Sequence, residues 1–221
     1  MSSASATQPK YLSSFGRNRG RSLRPYQNAL VEELLPTLKP VLEKGYKRYA
    51  LEIGFGGGEH LAAQAQHNPD TLYIGCEPYI NGVAKLLADI DKHQLKNIRI
   101  HTRDARELLE TMPERVFDEV FVLFPDPWPK VRHNKRRLIN QQTLSMLSRV
   151  HKKGGRLLVA TDHIDYSAWI LEHLLAHPDY AWQAKERADW HTPPKDWTTT
   201  KYQRKTTEQG REPMFFECVR A

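Results

Sequence analysis

Cysteines and long hydrophobic runs are scarce in this chain of 221 residues, and each absence excludes a class of protein. The two cysteines, Cys76 and Cys218, are too few for a disulfide framework or a metal-binding set, and we expect both to be buried thiols. No apolar segment is long enough to cross a membrane, and the first residues contain no hydrophobic signal segment. We therefore expect a cytoplasmic protein with no membrane contact and no bound metal.

Acidic residues are missing from two segments. Residues 1–31 contain five Lys or Arg side chains and no acid, and residues 130–137 contain five more together with one His. In a chain of formal net charge +7, two such cationic segments favour nucleic acid as the partner. Residues 1–20 are rich in Ser, Gly and Arg without apolar periodicity, which predicts a basic, disordered tail. Residues 21–221 are then expected to form a single domain.

The rest of the sequence alternates between strand and helix signals. A helical segment at 26–42, interrupted by Pro36 and Pro40, comes first. Strands are then predicted at 49–55, 72–77, 98–101, 120–124 and 156–161. Helices are predicted at 58–66, 80–93, 105–110, about 137–150 and 164–176. This alternation predicts an α/β fold with a Rossmann-like, doubly wound, mostly parallel sheet. Two last strands, at 182–186 and 215–219, have no crossover helix between them. They predict a seven-stranded sheet with an antiparallel C-terminal edge strand.

A glycine-rich loop and three acids indicate a cofactor site. Gly54, Gly56 and Gly58 follow the first strand, with a spacing that differs from the Gly-x-Gly-x-x-Gly of dinucleotide enzymes. Glu52 precedes them and suits a ligand with a cationic amino group and a ribose better than a pyrophosphate. Glu77 and Asp104 end the next two strands, where carboxylates can bind a ribose and an adenine edge, although such acids also cap helices. The pattern is typical of class I S-adenosylmethionine-dependent methyltransferases.

Asp126 lies in a proline-rich loop after the fourth strand, immediately before the second cationic segment. The prolines restrict the backbone, so Asp126 and Trp128 are expected in a defined loop that could form the floor of an active site. A solvated basic loop after a buried strand is the alternative. Trp128 could stack on a base or anchor the loop by packing.

Three motifs resemble one family. Gly-Cys-Glu-Pro-Tyr-Ile-Asn-Gly at 75–82, Phe-Pro-Asp-Pro-Trp-Pro-Lys at 124–130 and Arg-His-Asn-Lys-Arg-Arg at 132–137 resemble the bacterial tRNA (guanine-N7-)-methyltransferases, which methylate guanine 46 of the variable loop. The resemblance extends from about residue 46 to the C-terminus and implies a tRNA partner, S-adenosylmethionine as cofactor and S-adenosylhomocysteine as product. The chain itself is expected to be a monomer or a weak homodimer.

The resemblance also implies roles for individual residues. Cofactor contacts are implied for Glu52, Glu77, Asp104 and Asp126, beside the glycines at 54, 56 and 58, and Asp126 is the implied active-site residue. Substrate contacts are implied for Lys130, Asp162, Thr200, Lys201, Tyr202 and Gln203. RNA contacts are implied for Arg132, His133, Asn134, Lys135, Arg136 and Arg137. Gln203 departs from the family pattern, which usually has Glu at this place.

The chemistry of guanine N7 agrees with this set of residues. N7 carries a lone pair and no proton, so its attack on a methyl group requires alignment rather than a general base. Asp126 can stabilise the positive charge that develops on the purine. Three alternatives remain at this point: a methyltransferase acting on an exocyclic amine, a non-catalytic tRNA-binding module that keeps the fold, and a nicotinamide dehydrogenase.

Overall fold

A seven-stranded mixed sheet organises the chain in a computed structural model, which describes residues 20–221. Residues 1–19 of the predicted tail lie outside the described residues. The strands are β1 Arg48–Ile53, β2 Thr71–Cys76, β3 Ile98–His101, β4 Phe117–Leu123, β5 His151–Thr161, β6 Tyr180–Trp182 and β7 Met214–Arg220. Their order across the sheet is β3-β2-β1-β4-β5-β7-β6. The first five strands pair in parallel, and β7 pairs antiparallel with both β5 and β6.

Eight α-helices accompany the sheet in the described part of the chain. They are α1 Pro25–Glu33, α2 Glu59–His67, α3 Ile80–His93, α4 Ala105–Thr111, α5 Gln141–Val150, α6 Ile164–Leu175, α7 Arg187–His191 and α8 Lys201–Glu208. Short 3₁₀ helices at Leu35–Thr37 and Val131–Arg136 complete the set. No helix within residues 20–221 is long and apolar enough to span a membrane.

Two hydrophobic clusters cover the two faces of the sheet. On one face, side chains of α4, α5 and α6 such as Leu108, Leu144 and Ile170 pack against the sheet. On the other, α2 and α3 contribute Leu61 and Val83. Because helices cover both faces, β2 is buried along its whole length. Such a strand is a continuous apolar run in the sequence rather than an alternating one. This arrangement exposes only the ends of the strands, and a ligand can approach the sheet there.

The predicted fold class is confirmed, and the C-terminal part shows how it is completed. The C-terminal strand is antiparallel, as predicted, and lies one place in from the edge because the three-residue β6 pairs with its outer side. The strand predicted at 182–186 is wrong in its bounds: the strand is Tyr180–Trp182, and Glu186 instead caps the short helix α7. Cys76 and Cys218 are buried thiols, as expected.

The segment after β4 also differs from the prediction. The helix expected from about residue 137 begins at Gln141, where the Asn140 side chain accepts a hydrogen bond from the Thr143 backbone N–H at 3.0 Å and so caps the first turn. The preceding basic residues form the 3₁₀ helix Val131–Arg136. The cationic segment is thus a short ordered turn between the sheet and α5.

Candidate active site

The glycine loop after β1 owes its shape to backbone conformations that favour glycine. Gly54, Gly56 and Gly58 have φ angles of +75°, +55° and +79°, in the left-handed region. The loop also packs tightly against the start of α3, since a Cβ on Gly82 would lie 2.1 Å from the Gly56 carbonyl oxygen. A Cβ on Gly58 would lie 2.7 Å from the Leu86 side chain. The motif at 75–82 and the glycine loop therefore form one packed unit.

Glu77 follows β2 and joins this unit by two hydrogen bonds. One of its carboxylate oxygens accepts from the Gly56 backbone N–H at 2.8 Å, and the other accepts from the Tyr79 backbone N–H at 2.9 Å. Burial raises the pKa of Glu77, the two backbone hydrogen bonds oppose that shift, and the nearby Asp126 charge adds to it. Each oxygen keeps lone-pair capacity for a second donor.

Asp104 follows β3 and caps α4. Its carboxylate accepts from the Arg106 backbone N–H at 2.9 Å and from the Arg106 guanidinium at 2.9 and 2.6 Å. The helix-cap role that the sequence left open is thus confirmed. The cap does not remove Asp104 from the crevice, because both Asp104 and Arg106 line the cavity described below.

The loop after β4 turns through two residues with left-handed backbone conformation. Phe124 and Trp128 have φ angles of +51° and +42°, which is unusual for aromatic residues and indicates stored strain. The Arg136 guanidinium lies 5.0 Å from the centre of the Trp128 ring, and the His133 ring meets Trp128 edge-on at 5.9 Å. The basic segment thus folds back over the loop that carries Asp126.

These elements surround a cavity of about 490 Å³ at the carboxyl ends of the strands. Of the predicted site residues, it is lined by Gly54, Gly56, Glu77, Asp104, Asp126, Arg136 and Tyr202. Trp128 lines it as well. Seven predicted cofactor or substrate residues are not among its lining: Glu52, Gly58, Lys130, Asp162, Thr200, Lys201 and Gln203. Arg132 and Lys135 are exposed on the 3₁₀ helix, and His133 and Asn134 are half-buried beside them.

Glu52 lies beneath the crevice rather than in its wall. Its carboxylate is within 2.7 Å of Nδ1 of His60, and both residues are buried. The His60 ring in turn packs against Phe121 at 5.0 Å and Trp197 at 5.5 Å. A contact between Glu52 and a cofactor remains a prediction.

The assignment of Arg137 to the RNA surface is corrected. Its side chain is only 1% exposed, pairs with Asp165, and donates from Nε to the Pro127 carbonyl at 2.9 Å. The guanidinium also lies about 5 Å above the Tyr166 and Trp169 rings. Arg137 holds the proline loop against α6, and sequence could not reveal this because the residue continues a run of exposed cations.

The segment 200–203 serves mainly internal contacts. Thr200 caps α8 by accepting from the Gln203 backbone N–H at 3.2 Å, and the Gln203 side-chain oxygen accepts from Trp197 Nε1 at 2.7 Å. Only Tyr202 lines the cavity, with its ring 5.2 Å from that of Phe124 and its hydroxyl 3.4 Å from Asp162.

Lys201 and Asp162, both predicted to bind substrate, each form an ion pair within the protein. Lys201 pairs with Glu59 at 3.5 Å, and Asp162 pairs with Arg211 at 2.9 Å. These contacts tie the α8 segment to α2 and to the end of β5.

Sequence reasoning missed several residues of the cavity wall: Tyr79, Arg103, Arg106, Phe124 and Leu138. A signal existed for Tyr79, which lies inside the motif at 75–82, and for Arg103 and Arg106, which flank the predicted strand-end acid Asp104. Within residues 20–221, no group of three or more His, Cys, Asp or Glu side chains is placed to hold a metal ion.

Comparison with known proteins agrees with this geometry. A family model described as "Putative methyltransferase" matches residues 47–216. A tRNA (guanine-N(7)-)-methyltransferase of Caulobacter vibrioides is 46% identical over 217 residues, covering 95% of each chain. One from Nitrobacter hamburgensis is 43% identical over 218 residues, covering 93% of this chain and 86% of that protein.

Among solved structures, an rRNA methylase from Streptococcus thermophilus superposes with a TM-score of 0.54 at 12% identity, covering 91% of this chain and 99% of that one. At that identity the likeness shows the fold alone. The sheet order and the acid-lined cavity at its strand ends define a class I methyltransferase. Within that class, the chain belongs to the tRNA (guanine-N7-)-methyltransferase family.

Proposed function

We propose that this protein transfers the methyl group of S-adenosylmethionine to N7 of a guanine in tRNA, and that the target is guanine 46 of the variable loop. The observation that carries the proposal is one cavity in which Glu77, Asp104 and Asp126 meet from the ends of three strands. Trp128 and Tyr202 add aromatic rings to the same wall. The tRNA substrate and the N7 position come from the family likeness.

The cavity suits the cofactor in size and in chemistry. Its volume of about 490 Å³ falls in the range of about 300 to 1,000 Å³ that is usual for small-molecule sites. Glu77 is already oriented by two backbone N–H groups, so its remaining lone pairs would accept hydrogen bonds from a ribose diol. The left-handed glycines at 54 and 56 would let the backbone approach the ligand closely. Asp104 and its Arg106 partner would meet the adenine edge.

The reaction requires alignment and charge stabilisation rather than proton removal. When bound, S-adenosylmethionine supplies an electrophilic methyl group on a sulfonium. Guanine N7 offers an unprotonated lone pair, so Asp126 need not act as a base. Instead, Asp126 would orient the purine through its N–H edge and stabilise the positive charge that develops on it. The left-handed conformations of Phe124 and Trp128, on either side of Asp126, would restrict the loop and so support this alignment.

The basic 3₁₀ helix would hold the RNA backbone. Arg132 and Lys135 are exposed and can pair with phosphates, which gives affinity without sequence information. Partial desolvation and the surrounding Arg and Lys charges lower the pKa of His133 in the free protein. His133 would contact the RNA beside these cations.

Chemical mapping of the product tests the proposal. The protein is incubated with labelled S-adenosylmethionine and unmodified tRNA, and the RNA is then reduced with borohydride and cleaved with aniline. Strand scission at a single variable-loop guanine is expected. Label without scission would support an exocyclic amine as the target, and absence of label would support a non-catalytic tRNA-binding module.

A further inference from the structure

The first described residues of the chain are held at the mouth of the cavity by one side chain. The Asn81 side-chain oxygen accepts from the Gly20 backbone N–H at 2.9 Å, and its amide nitrogen donates to the Arg21 carbonyl at 2.6 Å. The side-chain amide of Asn81 thus pairs with one backbone donor and one backbone acceptor, as a peptide group does in a β-sheet. Since the contact spans about sixty residues, it specifies where this segment lies.

The segment is pressed directly against the wall of the cavity. A Cβ on Gly20 would lie 2.2 Å from the Tyr79 hydroxyl oxygen, and Tyr79 lines the cavity beside Glu77. Any other residue at position 20 would displace the Tyr79 side chain. Asn81 and Tyr79 belong to the motif at 75–82, so that motif contacts the N-terminal segment as well as the glycine loop.

A second contact sets the direction of the segment. The Tyr26 hydroxyl donates to the Asp91 carboxylate at 2.6 Å, near the far end of α3. Ten helical residues separate Asp91 from Asn81, a rise of about 15 Å. Seven residues, Gly20 to Tyr26, join these two contacts, and the last two of them are the first residues of α1. The chain therefore runs along α3 toward the cavity.

This path brings positive charge to the mouth of the site. Arg21 and Arg24 are exposed, and no acid occurs before Glu32. The cationic 3₁₀ helix reaches the same cavity through Arg136. Two cationic segments therefore lie near the cavity: the N-terminal segment with Arg21 and Arg24, and the 3₁₀ helix Val131–Arg136.

We propose that the segment Gly20–Arg24, clamped by Asn81, is a second RNA-binding surface, and that Arg21 binds a phosphate of the tRNA beside the methylated nucleotide. Asn81 is then a positioning residue that acts through Arg21. The inference rests on the proposed tRNA substrate. Exposed Arg side chains at a cavity mouth suit a phosphodiester chain, because guanidinium groups bind phosphate oxygens in pairs.

A double-mutant cycle on tRNA binding tests the proposal. Fluorescence anisotropy is measured with a labelled tRNA transcript and protein saturated with S-adenosylhomocysteine, over a series of salt concentrations. Arg21→Ala is expected to raise the Kd for tRNA about fivefold and to lower the slope of log K against log salt by about 1. Asn81→Ala is expected to give a smaller rise of about threefold, since the segment loses its place but keeps its charge.

The cycle separates positioning from a direct contact. In the Arg21→Ala background, Asn81→Ala is expected to add no further loss of tRNA affinity. A further threefold loss in that background would overturn the role of Asn81 as a positioning residue. The Kd for S-adenosylhomocysteine, measured for both variants, checks that each keeps its cofactor site.

Two matched variants control for charge and for substitution. Arg187→Ala removes an exposed cation on α7, which packs against β7 in the opposite half of the sheet, and Asn28→Ala removes an exposed amide on α1. If Arg21→Ala weakens tRNA binding no more than Arg187→Ala does, the surface does not exist. If the wild-type protein neither binds nor methylates tRNA, it is the proposed function that fails instead.

Discussion

The two halves of the cavity are built differently. On the cofactor side, a glycine loop, Glu77 and Asp104 follow β1, β2 and β3, and the hydrogen bonds of both acids come from residues near a strand end. On the substrate side, the wall comes from the strained loop after β4 and from α8, which lies near the end of the chain. The first half is a general property of a doubly wound sheet, whereas the second depends on contacts between segments distant in sequence.

The difference explains what the sequence could predict. A parallel strand followed by a glycine or an acid brings its end residues to a common edge, so Glu77 and Asp104 could be placed in the cavity wall from pattern alone. Glu52, predicted on the same grounds, instead lies against His60 outside the wall. Arg137 could not be assigned in this way, because its burial depends on Asp165, Tyr166 and Trp169 of α6. Gln203 likewise contacts Trp197 rather than the cavity. Its position in the motif at 200–203 does not indicate that contact.

The same limit applies to α7 and α8, which lie between the last two strands, where the sequence predicts no crossover helix. Each is short and is fixed by tertiary contacts such as the packing of α7 on β7. Intrinsic helix propensity is too weak to specify helices of five and eight residues.

The largest effect is expected where the two halves meet. Asp126→Asn should lower kcat by about 100-fold or more, because a neutral amide stabilises the developing purine cation poorly. The Kd for tRNA should stay unchanged, since the phosphate contacts are intact. Single-turnover methyl transfer and tRNA binding are the measurements, with Asp70→Asn on the exposed Lys47 pair as the control. Lost affinity with preserved turnover would make Asp126 a structural residue.

A second test isolates the cofactor side through pH. Because burial raises the pKa of Glu77, we expect the affinity for S-adenosylhomocysteine to fall on acidification, by about tenfold per pH unit once Glu77 is protonated. Glu77→Gln should bind weakly and without this pH dependence. By linkage, a carboxyl with a raised pKa lowers the stability of the fold when it is ionised. In the empty protein, Glu77 therefore makes stability rise as the pH falls from above its raised pKa to the ordinary pKa of the unfolded chain.

Calorimetric titration of S-adenosylhomocysteine at several pH values measures the effect, and thermal unfolding at the same pH values checks that the fold persists. A pH dependence that Glu77→Gln leaves unchanged would assign it to another group.

A third test contrasts two neighbouring cations on the substrate side. Arg137→Ala should lower the free energy of unfolding by about 2 kcal/mol, because it leaves the Pro127 carbonyl and Asp165 without their partner. Arg132→Ala should leave stability unchanged and reduce the salt dependence of tRNA binding by about one phosphate contact. Urea unfolding and anisotropy distinguish them, and the reverse pattern would place Arg137 on the RNA surface after all.

The smallest effect is expected at the position that departs from the family pattern. Gln203→Glu should change kcat/KM within about twofold, because a carboxylate oxygen can accept the Trp197 hydrogen bond as the amide does. Gln203→Leu, which removes the acceptor for Trp197, should lower kcat/KM by more than twofold. A large gain in activity for Gln203→Glu would show that the missing charge acts on substrate rather than on Trp197.

The central claim is that guanine N7 itself is the nucleophile and that the protein supplies alignment and charge rather than a base. Replacing the target guanine of the tRNA by 7-deazaguanine removes that lone pair and keeps the exocyclic amine and the shape of the base. We predict that this tRNA binds with unchanged Kd and accepts no methyl group. Methyl transfer to it at the normal rate would contradict the account.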